Sequence, residues 1–293
     1  MNDVTILGLG LMGGSLGLAL KSRQPHVTVH GFTRDKARSE VALKRRAVDV
    51  VYDSAVDAVS NADIVVLCAP ILSIPAQLDS VINHLKPGAI VTDVGSTKAF
   101  IQRECRARLD KRQALFIGSH PIAGSEQQGI DAARPDLYDN AMVVITPDTN
   151  DPADKVLEVE TLWSVVGGRV CLMTPEEHDQ VLATTSHLPH LIASLLAFTV
   201  GRPGLRSDLG AFCGTGYRDT TRVAAGGIDI WMDIVKSNKL SIVQELSEYR
   251  ENLTNFIEKL EQDEFSVIEQ ILNGGKTSRK AFTEYGNQNN SEE

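Results

Sequence analysis

The stretch Val4-Thr5-Ile6-Leu7-Gly8-Leu9-Gly10-Leu11-Met12-Gly13-Gly14-Ser15 decides how the rest of the chain is read. Residues 4–7 form a short apolar, β-branched run, residues 15–21 a helical pattern, and the three glycines between them have the spacing of a strand-to-helix phosphate loop. In such a loop the first glycine turns the chain, the second lets the backbone approach a pyrophosphate, and the third lets the helix pack against the strand. The pyrophosphate then sits on the unpaired N–H groups that open the helix. A tight turn with no ligand would use the same glycines. A dinucleotide is favoured by the strand before, the helix after and the alternation that continues downstream.

Short β-branched runs at 27–31, 64–68, 90–93, 115–118, 142–146 and 169–173 alternate with helical patterns, the signature of a parallel sheet covered by helices. Beyond Pro175 the strand pattern gives way to long helical stretches. The expected architecture is α/β: a Rossmann-type doubly wound sheet over 1–173, an all-α substrate and dimerisation domain over 174–262, and a C-terminal helix remnant with a polar tail over 263–293. The helical half shows apolar residues on several faces, among them Leu188, Leu191, Leu195, Leu253 and Ile257. A surplus of apolar face predicts a homodimer built on that half, and a single well-packed helical domain is the alternative.

The chain has 293 residues, 42% of them hydrophobic and 23% charged, which fits about two globular domains and excludes collagenous, disordered and disulfide-scaffold classes. A formal net charge of −9 argues against nucleic-acid or anionic-membrane partners and leaves room for a small anion held by a few gathered basic side chains. The 4 cysteines are scattered without a Cys-x-x-Cys pair, as expected of free thiols in a reducing compartment. No apolar run reaches the roughly 18 residues of a membrane helix, and the acidic start Met1-Asn2-Asp3 does not read as a signal peptide. A cytoplasmic location is expected.

Thr33 and Arg34 follow the second strand, where an NAD-binding site places an acid for the ribose hydroxyls. A hydroxyl and a guanidinium suit a 2′-phosphate, so NADP is expected ahead of NAD, although Asp35 restores a ribose acceptor if the loop shifts. Two further strand ends carry polar loops, Asp93-Val94-Gly95-Ser96-Thr97-Lys98 and His120-Pro121-Ile122-Ala123-Gly124-Ser125-Glu126. His120, between a strand and a proline, is a natural proton acceptor beside a nicotinamide, since its unperturbed pKa is about 6.5. The competing readings are a loop histidine satisfied by backbone and, for Ser96, an ordinary helix cap. Ser186-His187-Leu188-Pro189-His190 sets two imidazoles three apart on one helix, and no third ligand at a recognised spacing accompanies them to make a metal site. Arg222, with Asp219 to orient it, reads as a carboxylate clamp or as a solvated ion pair.

Together, the glycine loop, Asp93-Val94-Gly95-Ser96-Thr97-Lys98, His120-Pro121-Ile122-Ala123-Gly124-Ser125-Glu126, Ser186-His187-Leu188-Pro189-His190 and Asp219-Thr220-Thr221-Arg222 followed by Trp231 resemble the prephenate/arogenate dehydrogenase family of tyrosine biosynthesis. The resemblance implies oxidative decarboxylation of a cyclohexadienol, with hydride passing to NAD(P)+ held at Gly8, Gly10, Leu11, Met12, Gly13, Thr33 and Arg34. It implies that His120 deprotonates the ring hydroxyl while Ser96 orients His120. It further implies that His190 and Arg222 bind the carboxylates of a dicarboxylate substrate, that Asp219 positions Arg222, and that Trp231 enters from the partner subunit. Glu126 either attracts the ammonium of arogenate or gates the site by pairing with His190 or Arg222. Prephenate is the expected substrate; arogenate or dual use is the alternative. The resemblance also implies that the chain stops before the ACT-type regulatory domain of some members. Two other classes compete. A β-hydroxyacid dehydrogenase would need a catalytic lysine where this chain offers His187 and His190, and a dinucleotide-sensing protein would not need the acid–base set.

Overall fold

The computed structural model describes residues 1–109, 113–124, 127–206 and 208–288, and it divides into two units, Met1–Ser241 and Ile242–Glu293. In the first, β1 (Asp3–Leu7), β2 (Thr28–Phe32), β3 (Val50–Val51), β4 (Ile64–Leu67), β5 (Ile90–Asp93) and β6 (Leu115–Phe116) form a parallel sheet in the order β3-β2-β1-β4-β5-β6. Its crossovers contain α1 (Leu11–Arg23), α2 (Lys36–Lys44), α3 (Ala55–Val59), α4 (Ile74–Asp79) and α5 (Ala99–Leu109). This is the doubly wound Rossmann arrangement the sequence predicts, with the strand order reversing between β1 and β4, where such sheets bind nucleotides. Val4, Ile6, Leu7 and the whole of β4 are buried, as near-continuous apolar runs in a sheet covered on both faces must be.

The expected strand at 115–118 divides. The parallel sheet stops at β6, and β7 (Gly118–Pro121) begins a second sheet, pairing antiparallel with β8 (Met142–Thr146), which pairs parallel with β9 (Arg169–Leu172) across α6 (Ala153–Val165). The reason is local. Ile117 N still donates to Val91 O at 3.0 Å, but two residues on it is the Ser119 hydroxyl that donates to Asp93 O at 2.6 Å while the Ser119 N–H turns to the Asp93 side chain, so pairing with β5 ends and β7 pairs with β8. Ser119 Oγ is also 2.8 Å from Thr92 Oγ1 and accepts the indole N–H of Trp163 at 3.0 Å. Beside it, the wholly buried Lys98 bonds Asp93 and donates to Ser119 O at 2.8 Å. Asp93 in turn accepts from Gly95 N (2.8 Å) and Ser119 N (3.1 Å), so every polar end in this knot is satisfied.

The helical part contains α7 (Pro175–Leu182), a π-helical turn Ala183–His187, α8 (Leu188–Val200), α9 (Thr215–Thr221) and α10 (Ile228–Ser237). α11 (Lys239–Glu261) crosses the division between the units, and α12 (Phe265–Gln288) occupies most of the region read from sequence as a helix remnant and polar tail. Thr174 opens α7 with a capping box to Glu177. The π turn answers Pro189, which has no N–H for the Thr185 carbonyl and whose ring would crowd it; widening the preceding turn removes the conflict without ending the helix. The continuous stretch Pro175–Val200 is long and apolar enough to cross a membrane by length and composition, where the sequence predicts no such run. His178, Asp179, His187 and His190 are nevertheless buried along it within the first unit.

His187, at the end of the π turn, receives an N–H of Asn238 at 3.3 Å, and burial pushes its pKa down to about 4 against the opposing pull of Asp179. Above about pH 6.5 the ring is neutral in both folded and unfolded chains; between there and about 4 only the unfolded chain takes the proton, so stability falls as the pH falls through this window. Urea unfolding at pH 7 and pH 4.5 should show His187→Gln losing about 2–3 kcal/mol less on acidification than the wild type. Equal losses would contradict the assignment.

Candidate active site

A cavity of about 780 Å³ opens in the first unit over the C-terminal ends of β1, β4 and β5 and beside β7, with α8 and α10 supplying its far wall. Gly10, Leu11, Met12, Gly13, Ser96, His120, His190, Arg222 and Trp231 all line it. Residues from segments more than two hundred positions apart thus share one space.

The three loop glycines divide the labour as their spacing predicts. Gly8 sits at φ +116°, and a Cβ there would run into the Cys68 carbonyl. At Gly13 a Cβ would strike the Gly8 carbonyl, while nothing lies within 4 Å of the Cβ position at Gly10. Gly10 is therefore the open approach, and it caps α1, whose first turn has neither a side-chain cap nor an acidic residue. Free N–H groups and the positive end of the helix dipole face the cavity there, which fits a dinucleotide pyrophosphate.

At the ribose end, Thr33 is partly buried just past β2 and Arg34 is exposed. Neither lines the cavity. Asp35 has partners within its own turn. Its carboxylate caps α2, accepting from Ala37 N at 3.0 Å and Arg38 N at 3.4 Å, and pairs with the Arg38 guanidinium.

His120 projects from β7 next to Ser119 and is buried at the cavity wall. Its Nδ1 is 2.8 Å from His178 Nε2, and His178 Nδ1 is 2.8 Å from Asp179 Oδ1. Asp179 accepts the N-terminal amides of α5, Lys98 N at 2.7 Å and Ala99 N at 3.0 Å, and its backbone carbonyl receives Asn238 at 2.7 Å. Burial, reinforced by the positive charges that His178, Lys98 and His187 would bring, holds the His120 pKa well below its usual value, so the ring is neutral at physiological pH. Ser96 shares the cavity wall, but the ring contact on His120 comes from His178, a residue the sequence reading passed over.

The Trp231 indole stacks on His190 with ring centroids 3.4 Å apart and planes 11° from parallel. Both residues belong to this chain, α10 lying close enough to α8 for the rings to meet. A Cβ at Gly226 would press on Trp231 Nε1 and His190 Cε1 at 2.9 and 3.1 Å, so glycine there permits the stack. Arg222 stands in the 3-10 turn Arg222–Ala225 and lines the cavity mouth. Asp219 does not accompany it. It lies exposed on α9, which ends at Thr221, and outside the cavity lining. Glu126 lies outside the described residues.

Residues 16–172 match the family described as prephenate dehydrogenase, nucleotide-binding domain, and residues 174–273 that described as prephenate dehydrogenase, dimerization domain. A cyclohexadienyl dehydrogenase of Zymomonas mobilis is 35% identical over 84% of this chain and 84% of its own length. A prephenate dehydrogenase of Bacillus subtilis is 32% identical over 95% of this chain and 76% of its own. The crystal structure of A. aeolicus prephenate dehydrogenase with hydroxyphenyl propionate and NAD+ aligns with TM-score 0.88 and 29% identity, covering 96% of this chain and 98% of the other. With a Rossmann sheet, a glycine loop open to a dinucleotide and a histidine-walled cavity beside it, the chain belongs to the prephenate dehydrogenase family.

Proposed function

We propose that this protein oxidises prephenate to 4-hydroxyphenylpyruvate and CO2, with hydride passing to NADP+ in preference to NAD+. The observation that carries the reading is the single cavity joining the glycine loop, His120 and the pair His190 and Arg222. When bound, the nicotinamide supplies the hydride acceptor. The protein has to hold the ring hydroxyl against a base, hold the carboxylates, and keep water from the reacting face. His120, neutral and buried, takes the hydroxyl proton as the ring carbon is oxidised; loss of the ring carboxylate as CO2 then makes the ring aromatic and drives the reaction forward. Ser96 contributes a hydroxyl beside the substrate oxygen. Arg222 binds carboxylate at the cavity mouth, and His190, held by Trp231, presents an imidazole N–H to the same dianion.

Two features support the finer choices. Asp35 caps α2, and Thr33 and Arg34 follow β2, so a guanidinium near the ribose end of the sheet favours a 2′-phosphate. Prephenate is preferred to arogenate because an imidazole and a guanidinium at the cavity suit a dianion better than a substrate bearing an extra ammonium. The protein works as a cytoplasmic homodimer through its helical domain. Phe198 and Leu240 expose 78% and 86% of their surface, Leu253 on α11 and Leu272 on α12 are also exposed, and apolar area of this kind is what subunit association covers.

The test is the initial rate of reduced-cofactor formation with prephenate and with arogenate, each paired with NAD+ and NADP+. Prephenate with NADP+ should be fastest; a fastest rate with arogenate or with NAD+ would overturn the corresponding choice. His120→Asn should lower kcat by about 10²–10⁴-fold with cofactor affinity unchanged, and near-normal turnover would remove it as the base. Arg222→Ala should raise the prephenate KM by about tenfold or more with a smaller effect on kcat, as loss of a charge-assisted bond does. Arg34→Ala should lower kcat/KM for NADP+ by about tenfold and leave that for NAD+ unchanged.

A further inference from the structure

We propose that His178 and Asp179 are positioning residues that fix the tautomer of His120, placing the ring proton on Nδ1 and leaving Nε2 bare toward the cavity. This rests on the reading of His120 as the base.

The hydrogen-bond roles follow from Asp179 outward. Its carboxylate takes the backbone N–H groups of Lys98 and Ala99 and faces His178 Nδ1 at 2.8 Å; a carboxylate filled by N–H donors can only accept. His178 must therefore carry its proton on Nδ1. Burial also holds the His178 pKa below its usual value, so the ring is neutral and its Nε2 is an acceptor. The partner of that Nε2, 2.8 Å away, is His120 Nδ1, which must then be the donor. One ring nitrogen of His120 remains, Nε2, and it is unprotonated. A free imidazole prefers the opposite tautomer, with the proton on Nε2, a form unable to accept a hydroxyl proton at that atom. The chain Asp179–His178–His120 reverses that preference before substrate arrives.

The same chain fixes the ring's direction. His178 is wholly buried, its ring meets His120 edge to face with centroids 5.0 Å apart, and Asp179 is tied to α5 on one side and to Asn238 on the other. α7 and α5 thus both bear on the orientation of a ring carried by β7. In hydrolytic triads, holding an imidazole in the right tautomer is worth up to about 10⁴ in kcat.

The direct measurement is the imidazole ¹H–¹⁵N correlation spectrum of the wild-type protein above pH 7, with the His120 signals identified by their absence in His120→Asn. The proposal requires a protonated Nδ1 and a bare Nε2 on His120; a proton on Nε2 would overturn it. Kinetics give the second arm. His178→Phe removes the acceptor at similar volume and should lower kcat by about 10²-fold with the prephenate KM within about threefold of wild type. His178→Gln, whose amide oxygen can accept from His120 Nδ1 and whose amide N–H can donate to Asp179, should recover most of that loss. Equal kcat for the Phe and Gln variants would overturn the proposal, and if the Phe variant fails to fold, the wild-type and Gln spectra decide by the same criterion. Failure of the underlying reading looks different: His120→Asn would then turn over normally whichever nitrogen carries the proton.

Discussion

Lys98 is sealed from solvent, and its ammonium ties together two pieces of chain that secondary structure alone would let part. On one side is Asp93, the last residue of β5 in the nucleotide-binding sheet; on the other is the Ser119 carbonyl in β7, the first strand of the second sheet. Burying two charges is expensive, and it is sustained here because Asp93 also takes Gly95 N and Ser119 N, while Ser119 Oγ is shared with Asp93 O, Thr92 and Trp163. His120 is the next residue along. Neither Lys98 nor Asp93 lines the cavity, yet their pair ties down the strand that carries His120.

From that knot the rest of the site is reached in short steps. The backbone N–H of Lys98 itself is bound by Asp179, so the lysine that joins the two sheets also anchors α7, and α7 leads through the π turn to His190 on α8. Thr97 Oγ1, one residue earlier, is 2.9 Å from Ser237 Oγ on α10, and Leu72 N donates to Asp233 of the same helix at 3.2 Å. Helices α7, α8 and α10 of the helical part are thereby fixed against strand ends of the nucleotide-binding part within one unit. In the oxidative decarboxylation of prephenate, aromatisation provides the driving force, so accurate placement of the groups that line the cavity is most of what the protein has to supply.

Much of this was legible in the sequence because it is local. The glycine spacing, the strand-to-helix alternation and the strand ends bearing Ser96 and His120 are patterns within a dozen residues, and the Rossmann sheet follows from them. The second sheet was not legible: 115–118 reads as one strand, and only the hydrogen bonds of Ser119 to Asp93, 26 positions away, show why it divides. His178 and Asp179 were hidden for a similar reason. In Glu176-Glu177-His178-Asp179 they look like the solvated acidic first turn of a helix, and the capping box from Thr174 strengthens that impression, yet His178 reaches back 58 positions to His120. A histidine and an acid at the head of an otherwise apolar stretch of helix were the available signal. Asp219 shows the opposite case: its spacing of three from Arg222 suggests a pair, whereas it faces solvent on α9.

The dependence on Lys98 is tested most directly by the unfolding free energy of Lys98→Met, measured in urea at pH 7 against the wild type. Methionine keeps most of the volume and leaves Asp93 buried without its cation. The variant should be less stable by about 3–5 kcal/mol, the usual consequence of removing one member of a buried pair. Stability within about 1 kcal/mol of wild type would contradict the view that this ion pair holds the site together.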